Sequence, residues 1–479
     1  MLLRSTFIYA PAILFTRLSA LLLVAVATRL VDQTEYGLLT LVVTIGEMTD
    51  IAVTNWLRIS LLRLGGKGDV SRGSLWLAGR VLILTTVLGV LLALVVAHLV
   101  APERATEFGL AVAAYLAAGA ISRFALTVLQ MQQRHSTYSL LEFARAVLQL
   151  ALPIAAAFLL PRTFFVLSLG SSLAVLLSGT LALGLALKHT VPGPARFTVR
   201  EFVGFGVPLV VMALVSFGVN NGERLFLNAY YDAGAVAVFA VAFALARQPI
   251  DTVANAVQMG AFPELVSRFD TSGPGEAARY LGDMLALMLR LCLPVAALLM
   301  ALSGPIAELV LPAGYHGQVE VLFPIIVLSV LFSNTGSFVF ANMIHAHKRP
   351  WLLVWIDGAA SVATIGLSIA LIPSLAETGA ALALAGGTGT SLVVTIFISR
   401  RLTPIPVPWA DMAVSAAMAL GVGVTAYLAA NTLKETWPIV QLGIGGVSGG
   451  LVFLGLNALA HPNETRAIAR RIRARLAIG

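Results

Sequence analysis

Residues 7–31 read FIYAPAILFTRLSALLLVAVATRLV, an almost unbroken apolar run of twenty-five residues. A helix needs about 20 apolar residues to cross the roughly 30 Å hydrocarbon core of a bilayer, so this run is long enough to span it. Similar runs recur along all 479 residues of a chain that is 58% hydrophobic and 11% charged. Its mean hydropathy is +0.91. Because backbone groups in lipid must be bonded internally, these runs predict an all-α, polytopic membrane protein.

The apolar runs predict about fourteen transmembrane helices. The sequence lacks the short, alternating segments that are typical of a transmembrane barrel. The predicted spans are 7–31, 36–57, 75–97, 109–130, 138–160, 163–187, 203–228, 234–259, 281–302, 319–341, 351–373, 379–398, 409–431 and 438–460.

The basic residues are unevenly distributed between the loops that connect these spans. If the chain starts inside, the outer loops hold only Arg104, Arg162 and Lys434. The inner loops and the tail hold twenty: Arg4, Arg58, Arg63, Lys67, Arg72, Arg134, Lys188, Arg196, Arg200, Arg268, Arg279, Lys348, Arg349, Arg400, Arg401, Arg466, Arg470, Arg471, Arg473 and Arg475. This asymmetry predicts that both termini are cytoplasmic. The net charge of +8 is therefore interpreted as a topology signal, and no nucleic-acid partner is expected.

An internal duplication is suggested by residues that recur 197 positions apart at similar places in two helices. The corresponding pairs are Pro11 and Pro208, Leu30 and Leu227, Glu35 and Asp232, and Gly37 and Gly234. Six helices per half keep the two halves in the same orientation, related by an axis along the membrane normal. We predict an N-terminal lobe over 1–200, a C-terminal lobe over 201–401, and two accessory helices with a basic tail over 402–479.

Several arginines lie inside or at the edge of the apolar runs. They are Arg17, Arg80, Arg123, Arg145, Arg224, Arg247 and Arg290. A charge at mid-bilayer costs roughly 2.5–3.5 kcal/mol on insertion scales, so such residues normally face a protein interior or a water-filled cavity. Several cations gathered in a membrane interior predict a lumen that accepts an anionic group.

The position of each arginine in its span decides what is expected of it. Arg17 and Arg290 lie near the middle of their spans, with no acid on the same helix face, so they are the first candidates for binding an anion. Arg123, Arg247 and Arg224 are further candidates for lining the cavity. In contrast, Arg80 and Arg145 lie within two turns of the predicted inner surface, where long side chains can reach the interface.

Acidic residues share helices with some of these arginines. Glu47 and Asp50 are three residues apart and lie on one face of the second helix, while Arg247 and Asp251 are four apart and can pair. The offset of 197 makes Asp50 and Arg247 equivalent. Two interpretations of these charged residues stay open: they form static ion pairs between helices, or they face a central cavity. We assign Glu47, Asp50 and Asp251, together with Glu223 beside Arg224, as candidate coupling or gate residues.

Enzymatic and metal chemistry find no support in the sequence. The single cysteine, Cys292, lies in an apolar run, and His345 and His347 have no acidic or cysteine companion. The predicted outer connections are short, which leaves no room for a catalytic domain on that side. We therefore expect no catalytic residues, no bound metal and no cofactor.

Short motifs next to the predicted helices resemble those of a known transporter family. They are Glu35-Tyr36-Gly37, Asp232-Ala233-Gly234, Ala261-Phe262-Pro263, Gly314-Tyr315 and His347-Lys348-Arg349-Pro350. Over essentially its whole length the chain resembles flippases of O-antigen or exopolysaccharide repeat units. These form the polysaccharide transporter family of the multidrug/oligosaccharidyl-lipid/polysaccharide exporter superfamily.

The resemblance implies two six-helix lobes around a central cavity, two C-terminal accessory helices, and alternating access. It implies a polyprenyl-pyrophosphate-linked oligosaccharide as the substrate, the bacterial inner membrane as the location, and membrane lipids as partners. A polysaccharide polymerase or chain-length regulator would be a further partner. Two rivals in the superfamily stay open: a cation-coupled multidrug exporter, whose first helix typically carries an acid, and a lipid II flippase. The first predicted helix here has Arg17 and no acid.

Overall fold

A computed structural model describes residues 15, 18–66 and 70–462 of the chain, and they are almost entirely helical. The helices, numbered here in chain order, are α1 (Leu18–Leu30), α2 (Gln33–Leu64), α3 (Arg72–Val100), α4 (Ala105–Met131), α5 (His135–Leu159), α6 (Phe164–Leu187), α7 (Val199–Tyr230), α8 (Ala233–Ser272), α9 (Pro274–Ala301), α10 (Ser303–Val310), α11 (Ala313–Ala346), α12 (Trp351–Leu402), α13 (Trp409–Asn431) and α14 (Pro438–Ala460). The all-α prediction is confirmed.

Eleven helices in the described part of the chain are long and apolar enough to cross a membrane. One of them, α12, breaks at Ala376, where φ is 47° and two helices meet, so it supplies two of the predicted spans. With α1 and the 32-residue α7, the helices account for the fourteen predicted spans.

The long helix α2 continues through the region that the sequence assigns to an inner loop. Its middle contains a π-helical turn over Ile51–Asn55, and regular helix resumes over Trp56–Leu64. Arg58 and Arg63 therefore belong to a helix and not to a loop. A π turn inserts one extra residue without ending the helix, which is why the apolar pattern loses its phase here.

The described helices belong to two compact units. Unit 1 comprises Met1–Val241 and Thr364–Ala380, and unit 2 comprises Ala242–Ala363 and Ala381–Gly479. The lobes predicted from the sequence divide the chain at residue 200 instead, and they remain a prediction.

In unit 1, Glu35 ties together the beginnings of three helices. Its carboxylate accepts a hydrogen bond from the backbone N–H of Phe164 at 2.5 Å and also pairs with Arg104, just before α4. Arg104 in turn contacts Glu107 at 2.6 Å and lies over the Phe164 ring. An acid at a helix N-terminus meets free N–H groups and the positive end of the helix dipole. Glu35 therefore fixes the starts of α2, α4 and α6 at one level.

Glycines allow the helices of unit 1 to approach closely. A Cβ atom on Gly37 would overlap the backbone of Ala233, so only glycine permits the starts of α2 and α8 to touch. A Cβ on Gly179 of α6 would lie 2.7 Å from the Cα of Ser122 in α4. The Gly37 of the family-like motif therefore has a packing role.

Two connecting segments of unit 1 are joined by backbone hydrogen bonds. Ser71 and Val191 form a parallel bridge, and Gly73 N donates to the Gly193 carbonyl at 3.0 Å. The Ser71 hydroxyl also donates to the Pro194 carbonyl at 2.9 Å. The segment that leads into α7 is thus attached to the start of α3.

In unit 2, α14 packs against the C-terminal end of α9 through small residues. A Cβ on Gly445 would lie 2.7 Å from Leu302 Cδ2, and one on Gly449 would lie 3.1 Å from Leu298 Cδ1. Such small positions let helices pack closely where no hydrophobic effect drives them together.

Candidate functional site

A cavity of about 700 Å³ with many polar side chains in its wall lies inside unit 1. Helices α1, α2, α4, α5 and α6 form its walls. Its lining residues include the charged side chains Glu47, Arg58, Arg123, Glu142 and Arg145, the hydroxyls of Tyr115, Ser122, Thr127, Tyr138, Ser168, Ser171 and Ser172, and the amides Asn55, Gln130 and Gln149. Polar groups in such density are costly inside an apolar helical unit, which makes this cavity the candidate functional site.

The cavity is long compared with its volume. Its lining on α2 extends from Leu39 to Leu62. At 1.5 Å per residue, these 23 steps correspond to about 34 Å of helix, close to the thickness of a bilayer core. The cavity therefore follows α2 over most of its length, with the polar residues Glu47, Asn55 and Arg58 between apolar ends.

Asp50 organises the charged part of the wall. Its Oδ2 lies 2.7 Å from Arg123 Nη1 and 3.0 Å from Arg58 Nη2. Thr54 donates its hydroxyl to the same carboxylate from one turn along α2. The Asp50 side chain is only 4% exposed, while those of Arg58 and Arg123 are 21% and 26% exposed. One buried carboxylate thus holds two guanidinium groups at the edge of the cavity.

The π turn of α2 explains why Arg58 reaches Asp50. In a regular helix, residues eight apart differ by about 80° around the axis, because each residue turns by about 100°. One inserted residue reduces the effective separation to seven, which leaves a difference of about 20°. Arg58 therefore comes back to the face of Asp50. Arg58 was not predicted as a cavity residue, because its position directly after an apolar run indicates a loop.

Arg123 is held in place from its own helix as well. Its Nε donates to the Gly119 carbonyl at 3.3 Å, and its guanidinium lies 5.5 Å from the centre of the Tyr115 ring. A Cβ on Gly119 would lie 2.2 Å from Arg123 Nη2. Glycine at this position leaves the space in which the guanidinium lies.

Arg145 is a second cavity residue that the sequence places elsewhere. The expected position was at the inner surface, but the structure places its side chain in the cavity wall. There it pairs with Glu142 at 2.6 Å and donates to the side-chain oxygen of Gln149 at 2.8 Å. The (i, i+3) and (i, i+4) spacings of these partners on α5 are the signal that could have identified it.

The fixed charges at the cavity are balanced. Three arginines face Glu47, Glu142 and the adjoining Asp50, so their formal sum is zero. A guanidinium carries five N–H donors, and one carboxylate does not occupy them all. The Arg58 and Arg123 side chains are partly exposed, so some of their N–H donors can face the cavity. The site can therefore accept further acceptor oxygens without losing its own ion pairs.

In unit 2, the pair predicted on α8 is formed. Arg247 Nε lies 2.9 Å from Asp251 Oδ2, and the guanidinium lies over the Phe243 ring. Asn334 of α11 donates to Asp251 Oδ1 at 2.9 Å. Asp251 thus links two helices of unit 2 and holds Arg247 in a fixed orientation.

The other predicted residues that the structure describes lie outside the lining of this cavity. Arg290 is half-buried on α9 of unit 2, and Glu223 is fully buried on α7 of unit 1. Arg224 donates to the Thr44 hydroxyl at 3.3 Å. Arg17 lies outside the described residues. Of the five arginines proposed from the sequence, Arg123 is therefore the one that the structure places in this wall, among the residues it describes.

The helix caps suggest a second register for the proposed repeat. Asp32 accepts a hydrogen bond from Glu35 N at 2.8 Å at the start of α2, and Asp232 accepts one from Ala235 N at 2.9 Å at the start of α8. These equivalent caps are 200 residues apart (232 − 32), not 197. At that offset Glu47, and not Asp50, corresponds to Arg247. The equivalence of Asp50 and Arg247 at an offset of 197 stays a prediction.

Residues that could hold a metal ion do not cluster. Within 18–66 and 70–462, no three His, Cys, Asp or Glu side chains come close enough to bind one. The polar lining of the cavity instead offers hydrogen-bond donors and acceptors for an organic ligand.

A comparison with protein families identifies the chain. The model for polysaccharide biosynthesis proteins matches residues 26–320, which is more than half of the 479 residues. No curated protein matches the chain.

Solved structures share the fold at low sequence identity. The lipid II flippase MurJ, in an inward closed conformation, has a TM-score of 0.69 at 14% identity and covers 95% of this chain and 99% of its own. A MOP superfamily transporter from Pyrococcus furiosus has a TM-score of 0.53 at 14% identity, covering 84% and 96%. The MATE transporter VcmN from Vibrio cholerae has a TM-score of 0.54 at 15% identity, also covering 84% and 96%. The chain is a multi-pass membrane protein with the fold of MOP superfamily transporters, and it belongs to the polysaccharide biosynthesis protein family.

Proposed function

We propose that this protein is a flippase that moves a polyprenyl-pyrophosphate-linked oligosaccharide across the bacterial inner membrane for the synthesis of O-antigen or exopolysaccharide. The single observation that carries the proposal is the wall of Arg58, Arg123 and Arg145 in the cavity of unit 1. The membership in a polysaccharide biosynthesis family supports the choice of substrate class.

Guanidinium groups suit a pyrophosphate for two reasons. Their planar pairs of N–H donors match two phosphate oxygens at once, and they stay charged in any environment that a protein provides. In this cavity Asp50 contacts one Nη atom each of Arg58 and Arg123, and both side chains stay partly exposed. The headgroup would add its bonds to guanidiniums that Asp50 already holds in position, which lowers the cost of binding.

The volume of the cavity suits part of the substrate. Binding sites for compounds of drug size measure about 300–1,000 Å³, and this cavity measures about 700 Å³. It can hold a pyrophosphate and its adjoining sugar but not a whole oligosaccharide with its lipid. The polyprenyl chain would stay in the bilayer, because each buried CH₂ contributes about 0.8 kcal/mol to that partition.

The remaining parts of the proposal follow the family resemblance. Two six-helix lobes would alternate access around a central cavity, with Arg17, Arg290, Arg247 and Arg224 contacting the anionic headgroup. Glu47, Asp50, Asp251 and Glu223 would couple or gate the movement. Transport involves no covalent chemistry. Both termini would face the cytoplasm, and a polysaccharide polymerase or chain-length regulator would receive the product.

The test compares cells that lack the gene with cells that carry it or its Arg58→Gln, Arg123→Gln double variant. Loss of the gene should deplete surface polysaccharide and accumulate lipid-linked repeat units on the inner leaflet. The wild-type gene should restore export, and the inserted double variant should not. Unchanged polysaccharide together with altered resistance to cationic dyes would instead support a multidrug exporter. Accumulation of lipid II would support a lipid II flippase.

A further inference from the structure

We infer that the cavity of unit 1 contains a sugar-binding subsite on α6, formed by Ser168, Ser171 and Ser172. The inference rests on the proposed function, since it assigns the sugar next to the pyrophosphate to these hydroxyls. All three residues line the same cavity as the three arginines.

Ser172 provides the observation that points to a ligand. Its side chain is 93% buried (7% exposed), and its hydroxyl has no hydrogen-bond partner among the described residues. Serine in an apolar helix normally donates to the carbonyl one turn earlier. Ser178, six residues later on the same helix, does this with Ala174 O at 3.0 Å. Ser172 keeps its hydroxyl uncommitted beside a cavity, where a ligand hydroxyl can bond to it.

The spacing of Ser168, Ser171 and Ser172 places them on one side of α6. Residues three and four apart are neighbours on a helix surface, so the three hydroxyls form one patch. Each hydroxyl can donate one hydrogen bond and accept two. A patch of neutral groups with both capacities complements the hydroxyls of a sugar ring, whereas guanidiniums offer donors alone.

The depth of this patch can be counted from the helix starts that Glu35 holds at one level. At 1.5 Å per residue, Ser172 lies about 12 Å along α6 and Arg123 about 27 Å along α4. Arg58 lies deeper, about 37 Å along α2. The hydroxyl patch therefore lies nearer the end at which these helices begin, and the arginines follow it along the cavity.

Helix α5 connects the two zones. A Cβ on Gly170 of α6 would lie 2.8 Å from Pro153 Cα, which aligns α5 with α6. From that contact Gln149 lies at a depth of about 15 Å and Arg145 at about 21 Å. Gln149 accepts from Arg145, so an amide stands between the hydroxyls and the guanidiniums. This order matches a ligand with a sugar at one end and a pyrophosphate at the other.

The experiment measures binding to the purified full-length protein in detergent. The probes are farnesyl pyrophosphate and farnesyl pyrophosphate that carries glucose, galactose or N-acetylglucosamine. We expect the wild-type protein to bind at least one sugar-bearing probe about tenfold more tightly than farnesyl pyrophosphate, because each satisfied hydrogen bond contributes roughly that factor or less.

Two serine variants and one control decide the subsite. Ser172→Ala, and separately Ser171→Ala, should reduce the preference for the sugar-bearing probe while leaving the affinity for farnesyl pyrophosphate unchanged. Ser178→Ala, which removes a hydroxyl bonded within its own helix, should keep the preference. Arg58→Gln should weaken the binding of every probe.

Each outcome separates the subsite from the proposed function. Equal binding of all probes by the wild-type protein, or a full preference in both serine variants, would overturn the subsite and leave the flippase proposal standing. If the wild-type protein binds no probe at all, the flippase proposal fails, and the subsite fails with it.

Discussion

Asp50 and Arg58 are eight residues apart on one helix, yet Arg58 Nη2 lies 3.0 Å from Asp50 Oδ2. The π turn over Ile51–Asn55 makes this contact possible, since it brings Arg58 back to the face of Asp50. π turns are rare in proteins overall, and those that occur are often found at functional sites. Here the turn serves to assemble two arginines from two helices around one buried carboxylate.

Neutralising Asp50 should destabilise the protein. The Asp50→Asn variant leaves Arg58 and Arg123 without their counter-charge, and breaking a buried ion pair costs about 3–5 kcal/mol. Because both guanidiniums are partly exposed, we expect the lower end of that range. Thermal unfolding in detergent measures the loss, with Asp283→Asn on an exposed position of α9 as the control. Adding Arg58→Gln should recover part of the stability; no loss for Asp50→Asn alone would contradict the network.

Replacing Gly119 should displace Arg123. The Gly119→Ala methyl would overlap the guanidinium, which must then leave Asp50. Gly184→Ala is the matched control, because nothing lies within 4 Å of its Cβ. Both changes favour the helix by up to about 1 kcal/mol. We expect Gly184→Ala to keep the added helix stability and full export. We expect Gly119→Ala to lose the added stability and to reduce export. Export equal in the two variants, measured as surface polysaccharide, would refute the role of Gly119.

Removing the charge of Glu35 should loosen the starts of α4 and α6. Glu35→Gln weakens the contacts with Arg104 and Phe164 N, and hydrogen bonds to charged groups contribute about 1.5–3 kcal/mol. Hydrogen exchange at the first turns of α4 and α6 should increase. Glu107→Gln, whose carboxylate is 48% exposed and also contacts Arg104, is the control and should change stability by less than about 0.5 kcal/mol. Equal exchange in both variants would show that Glu35 does not fix these helices.

Substituting the two mid-span arginines should stop export. Arg17 and Arg290 lie near the middle of predicted spans, where an arginine is costly and is kept for function. The double variant Arg17→Gln, Arg290→Gln should insert normally and fail to restore surface polysaccharide in cells that lack the gene. Membrane fractionation provides the control for insertion. Normal export by the inserted double variant would exclude both residues from headgroup binding.

Much of the fold could be predicted from the sequence because hydrocarbon imposes one local rule. Every long apolar run must become a helix, so the fourteen spans follow from length and hydropathy alone. The break of α12 at Ala376 also follows, since two runs of spanning length meet there. The pair of Arg247 and Asp251 was predictable for a similar reason, because a spacing of four places both on one helix face.

The composition of the cavity wall could be decided only by the tertiary structure. Arg58 and Arg145 lie near predicted span ends, and their sequence neighbours suggest loop or interface positions. Their roles depend on the phase change at the π turn and on which faces of α2, α4, α5 and α6 turn toward one another. Packing between distant segments sets those faces, through contacts such as Gly179 with Ser122 and Glu35 with Phe164. The sequence by itself determined that this chain crosses a membrane many times and carries arginines within its apolar runs. The contacts between its helices decided which of the described arginines share a cavity. This is because the period of a helix does not specify which helices lie next to it.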